Sequence, residues 1–256
     1  MFLNPFDGPR AKIARSKKHF DELVAAQSSF GKEQPLEIEI EALPGGGGVV
    51  YARIKAIPDL ETAAIVADIV GNFRSSLDLA VCAACRVKGA TNLKKTYFAF
   101  SGDEKQWDCY AAKNNMVAAD DTIRSVVRSF KPWEKDGNSL LYALSKISAA
   151  DKHVDLVPIG AKSGHMTIEG LSTKSTDGKA VKFMGRIPSW TYENGREELF
   201  RTGPNSNIEI TGPSVVKTSL GFGNVYALAG QPVIPTLNQM GAMCEKIIDT
   251  IETSVK

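Results

Sequence analysis

A chain of 256 residues, 43% hydrophobic and 23% charged, has the composition of a protein with a packed core, not of a disordered tract. Its net charge of +2 gives no global field toward nucleic acid or an acidic membrane, so nucleic acid binding is not indicated. No apolar run approaches the ~20 residues of a bilayer span. The opening Met1-Phe2-Leu3-Asn4-Pro5-Phe6 is no signal-peptide core. Four cysteines are too few for a disulfide framework at this length, and they read as reduced thiols of a soluble, cytoplasmic protein. No cofactor and no metal site are expected.

The spacing predicts a first helix over about 10–30, with Ile13, Phe20, Leu23 and Val24 near one face. Arg10, Lys12, Arg15, Lys17 and Lys18 load its first half and read as a solvated face. Two strands follow, over 36–43 and 49–57. The first alternates Leu36, Ile38 and Ile40 against Glu37, Glu39 and Glu41, the period of a half-buried strand. Gly45 to Gly48 joins them as a hairpin loop. A phosphate loop would instead lead into a helix carrying Lys-Ser or Lys-Thr.

A long core helix is predicted over about 61–87, where Ile65, Ile69, Phe73, Leu77, Ala80 and Ala84 recur at helical spacing. Cys82-Ala83-Ala84-Cys85 lies inside it. With no second Cys or His pair, these are small core residues, not a zinc or thioredoxin motif. A short strand is expected at Tyr97 to Phe100. A helix capped by Asp120 or Asp121 should stop at Phe130, before Pro132. Another runs from Ser139 to about Lys152. Beyond Pro158 the pattern turns to strands, over 166–171, 181–187, around Trp190, 197–201 and 208–210, with hairpin signals at Asp177-Gly178 and Asn194-Gly195. Residues 203–232 are punctuated by Gly and Pro. Leu237, Met240, Cys244, Ile247, Ile248, Ile251 and Val255 form the stripe of a last helix.

The chemistry-bearing residues gather in two places. Arg74 and Asp78 are four apart, hence neighbours on the most apolar helix, with Asp68 and Asn72 on an adjacent face. Asp151 continues the buried stripe of its own helix near a C-terminus, where the helix dipole disfavours a carboxylate. A buried acid there calls for a cation, for which Arg74 is the candidate, while Asp78 takes Lys152 or His153. Such a cluster is either an interhelical network that fixes packing or a catalytic or ligand-binding site.

Asn72-Phe73-Arg74-Ser75-Ser76-Leu77-Asp78 resembles the N-L-R-S-A-L-D-H helix of a group of uncharacterised bacterial and phage proteins. In those, a later helix carries L-x-x-L-x-x-x-D-K-H-R after a Pro-aromatic turn. Here Lys131-Pro132-Trp133 precedes Leu141, Leu144 and Asp151-Lys152-His153, and the order agrees over roughly residues 10–160. The R-x-x-x-x-H spacing of that helix is similar to the motif of HEPN-like helical proteins. That likeness implies an RNase in which Arg and His, near a dimer interface, act on the phosphodiester. This chain has Leu79 where the motif has His, and Val154 where it has the Arg after Asp-Lys-His.

The expectation is therefore an α+β protein: a helical core with a β-hairpin over 1–160, an antiparallel meander over 161–232, and a C-terminal helix over 233–256 that docks on the core, with a homodimer as the alternative. Its expected role is that of a non-enzymatic or degenerate HEPN-like protein binding a ligand or a protein partner. The alternatives are an RNase-like enzyme using Arg74 with His153, and a small-molecule enzyme with a pocket between the helices and the meander. Candidate catalytic residues are Arg74, Asp78 and His153; candidate binding residues are Asp68, Asn72, Asp151 and Lys152.

Overall fold

The most apolar stretch of the chain becomes the central helix, α2 (Leu60–Val87). Asp59 caps it, its carboxylate accepting from the Thr62 amide at 2.7 Å and the Thr62 hydroxyl at 2.6 Å. Val66, Ile69, Val70, Phe73, Leu77, Ala80, Val81 and Ala84 are all buried. Apolar residues on most of its circumference leave α2 no stable place except the middle of a bundle. A computed structural model describes residues 4–153, 156–168, 171–175, 180–181, 195–204, 206–210 and 214–256. In it α1 (Asp7–Lys32), α5 (Asp121–Ser129), α6 (Ser139–His153) and α7 (Val233–Ser254) all pack against α2. Between α2 and α5 the chain forms two short helices, α3 (Glu104–Gln106) and α4 (Ala112–Asn115), joined by one π-helical turn at Trp107–Ala111. As expected, Asp120 caps α5 by accepting from the Ile123 amide.

The last helix docks on the core as its stripe predicts. Leu237, Met240, Cys244, Ile247 and Ile251 have no exposed surface. Its approach to α2 is close enough that a Cβ on Gly241 would lie 3.0 Å from Cζ of Phe73. Part of the basic first half of α1 is not merely solvated. Arg10 bridges Asp249 at 2.8 Å and Glu252 at 2.6 Å, and Lys17 meets Glu245 at 2.8 Å. The acids of α7 are thus the partners that the cations of α1 could not reveal from their own segment. Glu252, with only 7% of its side chain exposed, also accepts from Lys256 and Asn4. Hydrogen bonding, foremost from Arg10, holds its carboxyl well below the usual range, at about 2.

The strands pair antiparallel throughout, in an order that does not follow the sequence. β1 (Leu36–Ala42) and β2 (Gly48–Ile54) form the expected hairpin, Leu36 opposite Ile54. Gly45, Gly46 and Gly47 all have positive φ, and a Cβ on Gly47 would lie 2.4 Å from the Gly203 carbonyl oxygen. The glycine run is therefore a turn that a side chain would block. β6 (Arg196–Arg201) adds to the free edge of β2, with Val50 opposite Phe200. β3 (Ile159–Ile168) pairs with β8 (Ser214–Phe222), and β4 (Leu171–Ser175) lies between β5 (Ala180–Val181) and β7 (Ser206–Ile210). The sequence reading missed β8 and the first half of β3. The Asp177-Gly178 turn, the strand expected beyond Val181, the stretch around Trp190 and Asn194 lie outside the described residues.

Two outcomes follow from this packing. Ile247→Ala, which empties a fully buried site between helices, should cost about 2–5 kcal/mol in urea denaturation. Glu252 has its folded pKa depressed from an ordinary 4.5 to about 2, so its stabilisation is complete above the unfolded value and is lost as pH falls from 4.5 toward 2. Glu252→Gln should lower Tm at neutral pH and, relative to the parent, flatten the decline of Tm across that acid window.

Candidate functional site

Arg74 and Asp78 meet as their spacing requires. Nη1 of Arg74 donates to Oδ1 of Asp78 at 2.5 Å. Neither group stops there. Nη2 of Arg74 donates to the Phe98 carbonyl at 3.1 Å, and the Phe98 amide donates back to Oδ1 of Asp78 at 2.9 Å. The guanidinium also stacks over the Phe100 ring, 4.7 Å from its centroid. The pair thus grips both hydrogen-bonding groups of one residue on the strap that leaves α2. Phe98 is itself fully buried, so its peptide has no water to turn to.

The same strap is fastened along its length. Trp107 donates its indole N–H to the Ala99 carbonyl at 3.1 Å, and the Tyr97 amide donates to the Asn115 carbonyl at 2.8 Å. Bridges at Thr96 with Met116 and at Ser101 with Trp133 close its two ends. The strand expected at Tyr97 to Phe100 does not form. Its central backbone groups bond to Arg74, Asp78 and Trp107 side chains, where a strand would need a neighbouring backbone.

The other expected site residues scatter. Asp68 is exposed on α2, and its carbonyl accepts from Nδ2 of Asn72 at 2.8 Å, a bond within one helical turn. Asn72 thereby turns onto its own helix. Asp151, Lys152 and His153 form the last turn of α6, which packs against α2, but their side chains lie outside the described residues. Of the other histidines, His19 is buried on α1 with Nδ1 2.8 Å from Glu22, and the side chain of His165 is also outside the described residues.

The chemistry open to this arrangement is narrow. Only 14% of the Arg74 side chain is exposed, and both terminal nitrogens are engaged. An external oxyanion would meet a guanidinium that is mostly buried and whose charge Asp78 already balances. Leu79 is half-buried and supplies no proton-transfer group. Cys85 is a core residue whose thiol burial pushes up to about 11, and Cys82 donates to the Thr96 carbonyl at 3.0 Å. All four cysteines are free. Among the described residues no three His, Cys, Asp or Glu side chains are grouped to hold a metal ion, and no helix is long and apolar enough to cross a membrane. Sequence reasoning missed Phe98 and Phe100. A buried peptide has no signature of its own, although the aromatic pair around Ala99 was a signal that this strap enters the core.

Comparison with known proteins gives no family, no curated protein and no solved structure that matches the chain. The likeness of the Asn72 to Asp78 helix therefore rests on its residues alone.

Asp78→Ala strands a mostly buried guanidinium and an amide, and should cost about 3 kcal/mol in urea denaturation while speeding hydrogen exchange at the Phe98 amide. Arg74→Lys keeps the charge but loses the two-pronged grip, and should cost less than Asp78→Ala.

Proposed function

We propose that the chain is a non-enzymatic binding protein, of degenerate HEPN-like type, in which the Arg74–Asp78 pair braces the fold and the ligand or protein partner is met elsewhere. One observation carries this reading: the guanidinium that would have to stabilise a phosphate is mostly buried and already ion-paired with Asp78. In-line cleavage of RNA also needs a base for the 2′-hydroxyl and an acid for the leaving oxygen. Leu79 stands where the resembled motif places its histidine. Arginine cannot replace that histidine, because its pKa is too high to shuttle protons near neutral pH.

The test incubates the purified protein with mixed-sequence RNA, with and without a chelator. The expected outcome is no cleavage above the buffer control in either arm. Cleavage that disappears in both Arg74→Lys and His153→Ala, with each variant folded by circular dichroism, would overturn the proposal and establish the RNase-like alternative.

A further inference from the structure

Resting on the reading of this chain as a binding protein, and deepening it, we infer that the surface formed by the end of α2, the strap that follows it and α4 binds single-stranded nucleic acid. Two stretches of the sequence contain no Asp or Glu: Leu79 to Gly102 and Cys109 to Ala119. Together they carry five cations, Arg86, Lys88, Lys94, Lys95 and Lys113, and all five are exposed. Among the described residues none of the five is paired with a carboxylate. The acids that border the stretches are engaged: Asp78 with Arg74, Asp108 with Arg128, and Asp103 and Asp120 as helix caps.

The fold brings the two stretches together. The Tyr97 amide donates to the Asn115 carbonyl at 2.8 Å, and the Val117 amide donates to the Lys95 carbonyl at 3.3 Å. On its other side the strap is held to α2, where the Cys82 thiol donates to the Thr96 carbonyl at 3.0 Å. Arg86 lies about one helical turn beyond Cys82. The segment with Lys94, Lys95 and Tyr97 therefore runs between the last turns of α2 and the end of α4. The grip of Arg74 and Asp78 on the Phe98 peptide fixes it one residue further on.

Cations alone would fit any polyanion. The kind of partner follows from the aromatic side chains set among them, Tyr110 at 66% exposure and Tyr97 at 38%. Tyr110 is three residues from Lys113. The Tyr97 hydroxyl donates to Oδ1 of Asn115 at 3.1 Å, which fixes the ring while leaving part of it open. Cations that follow a phosphate backbone, beside rings on which bases stack, are the arrangement of a single-strand surface. A duplex keeps its bases stacked on one another, and an acidic peptide would satisfy the cations but leave the rings without a stacking partner. The chain's net charge of +2 does not oppose this, because at ordinary ionic strength charges more than about 10 Å away are largely screened.

The experiment titrates the full chain, with chelator present, into labelled single strands of about 12 nucleotides, one RNA and one DNA, and follows fluorescence anisotropy. The expected result is saturable binding of at least one strand that weakens as salt is raised. Tyr110→Ala should weaken it about tenfold. Lys88→Ala with Lys94→Ala should reduce the slope of log affinity against log salt by about 1.4. These three positions are exposed, so the variants should melt as the parent does. Arg15→Ala with Lys18→Ala, which removes two exposed cations from α1 instead, should leave binding unchanged. The inference is overturned by no binding at low salt, by binding indifferent to Tyr110→Ala, or by an equal loss in the α1 variant. Equal affinity for a poly-glutamate peptide, for the duplex of the same sequence or for vesicles of anionic lipid overturns it as well. RNA cleavage by the folded parent strikes at the binding-protein reading and leaves this surface standing; strands that are neither bound nor cut strike at the surface alone.

Discussion

A charged pair inside an apolar helix has to be satisfied, and in this protein the way it is satisfied organises the half of the molecule that follows. α2 is apolar on most of its surface, yet it contains Arg74 and Asp78. In isolation the pair would answer its charge but leave donors and a lone-pair oxygen at the part-buried edge of the bundle. The Phe98 peptide supplies one donor and one acceptor at the right separation. Burying Phe98 in turn removes its peptide from water, so each side of the contact makes the other affordable in free energy. With Phe98 fixed, Trp107 can reach Ala99, and the segment up to Trp133 has a rigid edge to fold against.

The sequence was most legible where a single periodicity decides the outcome. The stripes of α2 and α7 are so regular that their burial followed from spacing, as did the Asp120 end from capping chemistry and the β1–β2 hairpin from alternation and the glycine run. It was least legible where partners come from afar. β6 lies against β2 because the β2 edge is open and Arg196 can meet Glu41 at 2.7 Å, a relation that no local pattern encodes. β8 was hidden because Gly221 and Gly223 near its end look like loop punctuation, while its middle is held in register by β3. The site divides in the same way. The i, i+4 relation of Arg74 and Asp78 was plain from spacing, but the third member is a backbone peptide and is silent in the sequence.

The distribution of charge repeats this logic on a larger scale. Residues that looked like a solvated basic face include Arg10 and Lys17, which face α7 acids more than two hundred residues later in the chain. Each such exposed pair contributes little by itself, on the order of 0–1 kcal/mol. Glu252 differs because it is mostly buried and shared by Arg10, Lys256 and Asn4, which ties both ends of the chain to one carboxylate.

The pairing of β2 with β6 also bears on the order in which the molecule can be made. Val50 waits for Phe200, so the hairpin leaves the ribosome with one backbone edge unclosed while some hundred and fifty further residues are synthesised. Val49, Val50 and Ala52, all buried in the finished fold, lie on that strand. α7, which covers α2, arrives later still. A nascent chain of this topology exposes a sticky strand edge and an apolar helix for most of its synthesis. Its yield in a cell should therefore depend on chaperone capacity and on translation speed more than its final stability would suggest.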